Sequence, residues 1–249
     1  MIRKKLISVV FCLSIIYSYP LYAKDYSLQE IYKNKSNSVV GIISHYESEK
    51  DQIHTGTGFF ISSNLIVTAA HVVHNNPFNL NEKLIIVLNK DPVTLCDGTP
   101  VKIDLEHDIA LIQFSTTKEV KCLNIDINDD LIAGDKLITI GNPSCYFRII
   151  SEGLVAATEP QFAITTVDKD YYKDMIISTL IVYPGNSGGP VFNTRGEVVG
   201  ILTLGNEKER LAFVQKAKYI KRLMESKSSD IIVYKKEPND EDSLLRKTS

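Results

Sequence analysis

The chain has 249 residues, with 28 Lys and Arg against 30 Asp and Glu for a formal net charge of −2, and 44% of it is hydrophobic. That is an ordinary globular composition, long enough for one large domain or two small ones with a sizeable core. The near-neutral balance argues against a nucleic-acid partner. Four cysteines without a C-x-x-C pair suit neither a disulfide-stapled miniprotein nor a zinc ribbon, and no internal stretch reaches the roughly eighteen uncharged apolar residues of a membrane span.

Residues 1–23, MIRKKLISVVFCLSIIYSYPLYA, open on Arg3, Lys4 and Lys5. An uncharged apolar run from Leu6 to Tyr19 follows, then Pro20, with a small residue at Ala23. This is the layout of a secretory signal peptide, so we expect export, to the periplasm or beyond the cell, and no stable membrane association after cleavage. Its removal takes away three bases and no acid, leaving 25 bases against 30 acids, a net charge of −5. It also leaves three cysteines: Cys96, Cys122 and Cys145. An oxidising compartment would permit one disulfide; we expect Cys96–Cys122, although spacing alone does not decide a pairing.

Next, Ser27-Leu28-Gln29-Glu30 has the pattern of a capping box and predicts a short helix start. From Val39 onward short β-branched runs alternate with turn residues: Val39–Ser44, Gly58–Ser62, Leu84–Leu88, Ile109–Phe114, Lys136–Ile140, Met175–Ile181 and Glu197–Leu204. Many short strands with regular punctuation read as an all-β barrel or sandwich. Helices of the length that a parallel α/β sheet requires are not visible between them. One late helix is predicted over Lys216–Lys227, with Ala217, Ile220, Leu223 and Met224 on one face. Residues 228–249 are mostly charged and read as a tail.

The sharpest chemical feature is Pro184-Gly185-Asn186-Ser187-Gly188-Gly189-Pro190. Flanking glycines let the backbone turn tightly and free nearby N–H groups to receive an oxyanion. Alone, such a cluster reads as a plain turn. It also fits the G-x-S-x-G elbow, but that architecture needs a histidine after the serine. His45, His54, His71, His74 and His107 all precede Ser187, so the elbow fails. Two upstream residues stand out. His71 follows the apolar run Leu65-Ile66-Val67, and Asp108 heads the apolar strand Ile109-Ala110-Leu111. By itself His71 reads as a half-buried histidine and Asp108 as a cap. A carboxylate entering a buried strand, however, needs a hydrogen-bond donor, and an imidazole N–H is one. The order His71, Asp108, Ser187 in a β-rich chain then points to base, orienting acid and nucleophile. Scattered histidines suggest no metal, and nothing indicates a cofactor.

The stretches TGTGFFIS (55–62), LIVTAAHVV (65–73), HDIALIQF (107–114), GDKLITIGNP (134–143), YPGNSGGPVFN (183–193) and GEVVGILTLG (196–205) resemble the trypsin-like serine proteases, above all the bacterial HtrA/Deg type. The resemblance covers roughly residues 36–225. It implies an all-β fold of two six-stranded β-barrels, an N-terminal one over about 36–125 and a C-terminal one over about 130–215, with the helix at 216–227 closing a domain spanning 24–225. It also implies an exported serine endopeptidase acting on protein or peptide substrates. By the family's motifs, His71, Asp108 and Ser187 are catalytic, and the amides of Gly185 and Ser187 form the oxyanion hole. The resemblance places Ile181, Tyr183, Thr203, Leu204 and Gly205 against the substrate, with Thr203 also holding Asp108 through its hydroxyl.

Two departures matter. Asn186 stands where digestive relatives carry an Asp that pairs with a new N-terminus, so activation by that salt bridge is not expected. HtrA proteins also carry PDZ domains after the protease, whereas only residues 226–249 follow here, so we expect a stand-alone protease domain. Neither Ile181–Tyr183 nor Leu202–Gly205 contains an Asp, Glu or His. That disfavours cleavage after Lys, Arg or Glu and predicts a small or medium apolar residue before the scissile bond. The alternative reading is a catalytically silent trypsin-like fold that binds proteins.

Overall fold

The computed structural model describes residues 24–45, 53–73, 84–158, 174–206 and 208–227. The expected signal peptide and tail, and His74, lie outside the described residues.

Helix α1 (Leu28–Lys35) begins where its sequence says it should. The Ser27 hydroxyl accepts from the Glu30 amide at 3.2 Å, while Glu30 Oε2 accepts from the Ser27 amide at 2.9 Å. Two amides that the first turn leaves without helical partners are thereby satisfied. The Lys24 ammonium, the Ser27 amide and the Ser27 hydroxyl, which also donates to Glu30 Oε2 at 3.0 Å, hold the Glu30 carboxyl down at about 2.

Twelve strands follow, in two sets of six. The first set is β1 (Val39–His45), β2 (Ile53–Phe60), β3 (Leu65–Ala69), β4 (Leu84–Lys90), β5 (Val93–Asp104) and β6 (Ile109–Phe114). The second is β7 (Lys136–Gly141), β8 (Ile149–Ala157), β9 (Met175–Ser178), β10 (Pro190–Phe192), β11 (Val198–Asn206) and β12 (Leu211–Lys216). Each set closes into an antiparallel barrel, in the orders β1-β2-β3-β6-β5-β4 and β10-β11-β12-β9-β8-β7. The all-β, double-barrel class expected from the sequence is the one observed.

Alternation explains which faces are buried. On β4, Leu84, Ile86 and Leu88 point into the barrel while Ile85 is exposed. Strand β5 was not among the predicted runs, and Pro100 within it is one reason. A proline removes a ladder donor, and here it sits where the β5–β6 register shifts.

The barrels share packing. One apolar cluster runs from Val39, Phe59 and Ile66 through Ile138, Phe192 and Ile201 to Ile220 and Leu223. The connection between them follows the surface of both: the Leu123 amide donates to Phe60 O, and Val198 donates to Asn124 O, each at 2.8 Å. Helix α3 (Ala217–Glu225) buries Ala217, Ile220 and Leu223, while Met224, expected on the same face, is partly exposed. Lys102 of β5 donates to Leu223 O and Met224 O at 3.1 and 3.0 Å, satisfying carbonyls at the end of α3.

The expected Cys96–Cys122 bridge is not formed. Cys96, Cys122 and Cys145 are free thiols. Cys96 is held in the middle of β5 opposite Ile86, whereas Cys122 lies exposed on the connection between barrels.

Candidate active site

Strand β3 ends at Ala69 and runs straight into the short helix α2 (Ala70–Val73), which presents His71. Asp108 stands at the head of β6, the neighbour of β3, with φ of 53°. Its backbone carbonyl accepts from Ala70 N at 3.0 Å, and Oδ1 accepts from His71 N at 2.9 Å. Oδ2 lies 2.7 Å from His71 Nδ1. The carboxylate is therefore buried with donors on both oxygens, which offsets its desolvation. The His71 side chain is 45% accessible against 7% for Asp108, so the Nε2 edge of the ring faces outward.

Burial alone would lower the His71 pKa, but the charge of Asp108 and its hydrogen bond outweigh it. The imidazole ends above the ordinary histidine value of 6.5. Asp108 thereby favours the protonated ring.

The turn carrying Asp108 is braced from behind. Asp104 accepts from His107 N at 3.1 Å and pairs with His107 Nδ1 at 2.9 Å, and the His107 ring stacks on Tyr219 with centroids 3.7 Å apart. Asp104, Glu106 and His107 hold ligand-type atoms within 4.8 Å of one another. Arg222 already supplies positive charge there, at 3.8 Å from Asp104 and 3.7 Å from Glu106, so the cluster is an ion-pair network.

Ser187 comes from the second barrel but is pinned to the first. Thr57 N on β2 donates to Ser187 O at 2.9 Å. The next residue, Gly188, has φ of 81° and lies directly on the strand that delivers His71. A Cβ there would fall 2.6 Å from Ala69 N and closer still to Thr57 O and Thr68 Oγ1. Only glycine allows both that conformation and that approach. Gly188→Ala is expected to cost about 2–4 kcal/mol, measured by urea unfolding. A loss below about 0.5 kcal/mol would mean that the loop does not need this docking.

The hydrogen bonds of residues 184–188 leave two amides over. Tyr183 O accepts from Asn186 N, Pro184 O from Ser144 N, Asn186 O from Gly189 N and Ser187 O from Thr57 N. Gly185 O accepts from Thr57 Oγ1 at 2.6 Å. Gly188 N donates to Leu202 O. Among the described residues, the N–H groups of Gly185 and Ser187 have no acceptor. Two free amides flanking a serine can receive a developing negative oxygen.

The expected substrate-contacting residues divide. The strand-like segment 181–183 alternates its faces. Val182, which the sequence reading did not single out, packs on Gly205, where a Cβ would meet Val182 Cγ2 at 2.5 Å. Ile181 and Tyr183 point the other way. They line a cavity of about 710 Å³ beside the nucleophile loop, together with Tyr146, Ile149 and Asn186. Leu204 and Gly205 lie on β11 beyond a bulge in its pairing with β12. The bulge falls at Thr203, and the Thr203 hydroxyl donates to Phe213 O at 3.3 Å instead of holding Asp108. The extra residue turns that side chain toward the partner strand.

Two closed barrels, a His–Asp pair on one and a glycine-flanked serine from the other define the trypsin-like class. The family model of the trypsin-like peptidase domain matches residues 56–201, and the chain belongs to this family. It is 32% identical over 168 residues to serine protease HTRA1A of Danio rerio, covering 64% of this chain and 32% of that one. It is also 32% identical over 176 residues to a probable periplasmic serine endoprotease DegP-like of Chlamydia trachomatis, covering 67% and 32%. The chain thus spans about a third of the length of these relatives. The crystal structure of the serine endoprotease from Yersinia pestis shares the fold, with a TM-score of 0.65 at 23% identity over 81% of this chain and 66% of that one.

Proposed function

We propose that the chain is an exported serine endopeptidase that hydrolyses protein substrates through an acyl-enzyme. The observation that carries this reading is the His71 Nδ1–Asp108 Oδ2 contact of 2.7 Å, on the barrel that also pins the Ser187 backbone.

His71 Nε2 takes the proton of Ser187 Oγ as that oxygen attacks the substrate carbonyl. Asp108 keeps the proton on Nδ1, so that Nε2 is the basic nitrogen, and it stabilises the imidazolium that forms. The amides of Gly185 and Ser187 hold the tetrahedral oxyanion. The imidazolium returns its proton to the leaving amine, and the acyl group stays on Ser187. Water, deprotonated by His71, then attacks the ester and releases Ser187. No metal or cofactor enters these steps.

Export rests on the basic and apolar layout of residues 1–23. The test of the chemistry is covalent labelling by a serine-directed fluorophosphonate. Folded protein is expected to take one label, on Ser187. No label on folded protein would leave the fold as a protein-binding module.

Cleavage is expected after small or medium apolar residues. Val182, Leu204 and Gly205 offer no charge to a substrate side chain, and the neighbouring cavity is lined by Ile149, Ile181, Tyr146 and Tyr183. Its one carboxylate, Glu152, is paired with Lys136 at 2.9 Å. A peptide-library digest checks this, and cleavage chiefly after Lys, Arg or Glu would refute it.

A further inference from the structure

The free Gly185 amide depends on a bond made outside the catalytic residues. The Pro184–Gly185 peptide is trans, so its carbonyl and its N–H point in opposite directions. Pro184 O is held by Ser144 N at 2.8 Å, which turns Gly185 N–H away from Ser144. A rotation of this one peptide would replace the amide with a carbonyl, and a carbonyl repels an oxyanion. The question is what holds Ser144.

The 142–148 loop is not held by its own bonds alone. Ser144, Cys145 and Arg148 have φ of 48°, 65° and 58°, three non-glycine residues in the left-handed region. Such conformations persist only where surrounding contacts impose them. The contacts come from the other barrel, through Arg148. Its guanidinium donates to Val39 O at 3.0 Å, Leu88 O at 2.8 Å and Asn37 Oδ1 at 2.7 Å. Its amide donates to Asn142 Oδ1 at 2.9 Å, closing the loop on itself. Asn142 in turn donates through Nδ2 to Val40 O at 2.9 Å. Asn142 N donates at 2.9 Å to Thr57 Oγ1, the hydroxyl that donates to Gly185 O. The two loops touch directly, since a Cβ on Gly185 would meet Asn142 O at 2.5 Å and Ser144 N at 3.2 Å.

We propose that Arg148 is a positioning residue for the oxyanion amide. It stakes the 142–148 loop to the N-terminal barrel, so that Ser144 holds the Pro184–Gly185 peptide in its receptive orientation. The planar fan of guanidinium donors, aimed at two strands and a side chain, suits arginine and not lysine. The inference rests on the proteolytic reading above, and it assigns Arg148 no contact with substrate.

The test uses the full chain and the variants Arg148→Ala and Arg148→Lys. Fluorophosphonate labelling of the wild type comes first; its failure would overturn the proteolytic reading whatever Arg148 does. With labelled wild type in hand, kcat and KM are measured on a fluorogenic unstructured protein, and folding is checked by cooperative thermal melting. Loss of one oxyanion donor lowers kcat about 10²- to 10³-fold. Arg148→Ala, which loosens a donor without deleting it, is expected to lower kcat ~10- to 100-fold with KM within ~3-fold. Methylguanidinium is expected to restore part of that rate. Folded Arg148→Ala with kcat within ~2-fold of wild type, or a loss confined to KM, would overturn the proposal. If Arg148→Ala fails to fold, Arg148→Lys decides by the same two readouts, with a kcat loss of ~10-fold expected.

Discussion

Ser187→Ala is expected to abolish fluorophosphonate labelling and to lower kcat by about 10⁶. The nucleophilic oxygen is gone, and water must attack without a covalent intermediate. The loss should not be total in free-energy terms. The Gly185 and Ser187 amides remain, because their orientation comes from bonds to Pro184 O, Gly185 O and Asn186 O that the hydroxyl does not make. A residual acceleration of about 10³ over the uncatalysed reaction is expected. The Ser187 side chain is not among the groups that pin the loop, so the urea midpoint should move by less than about 0.5 kcal/mol equivalent. A Ser187→Ala protein that cleaved as fast as wild type would remove Ser187 from the chemistry.

Asp108→Asn is the second large effect, with an expected fall of about 10⁴ in kcat. The amide can keep the shape of the site but offers its NH₂ where the carboxylate accepts. His71 N and Nδ1 both face Asp108, at 2.9 and 2.7 Å, so one Asn cannot satisfy both while keeping the proton on Nδ1. The pH profile separates this from simple misfolding. In the wild type the Asp108 charge raises the His71 pKa above 6.5. Activity therefore rises with pH as the ring loses its proton, through a limb above that value. Without the charge, burial alone acts on the ring and lowers its pKa, so the limb moves to lower pH. The same shift carries a sign for stability. The folded pKa lies above the unfolded one, so protonated His71 stabilises the fold fully below about 6.5, and this is lost as pH rises through the folded pKa. An Asp108→Asn protein whose rate stayed within tenfold and whose acid limb did not move would refute the role.

The legible parts of this protein are those governed by short-range chemistry. Ser27 and Glu30 are three residues apart, and a capping box needs nothing beyond that spacing. Leu84, Ile86 and Leu88 announce a strand with one buried face by alternation alone. Asp108 at the mouth of an apolar strand demanded a donor, and the structure brings His71 to it. Legibility failed where two readings of one segment differ only by which face is turned. Ile181 and Tyr183 flank Val182, and nothing local says which of the three packs on Gly205. Thr203 carried the right hydroxyl, but a bulge aimed it at Phe213 O. The cysteine spacing could not reveal that Cys96 sits mid-strand while Cys122 rides the connection between barrels.

By itself, the amino-acid sequence determined the strand-rich, all-β class, the two flanking helices and the order His71, Asp108, Ser187, while the two six-stranded barrels were implied by the resemblance to trypsin-like serine proteases. Periodicity, capping and turn chemistry act over a few residues, and they survive without knowledge of the fold. Only the tertiary structure decided how the loops of one barrel are held by the other. Thr57 reaches Gly185 across 128 residues of sequence, and Arg148 reaches Asn37 across 111. No spacing rule encodes such bonds, because closing two barrels against a shared apolar core is what brings their ends within hydrogen-bonding distance.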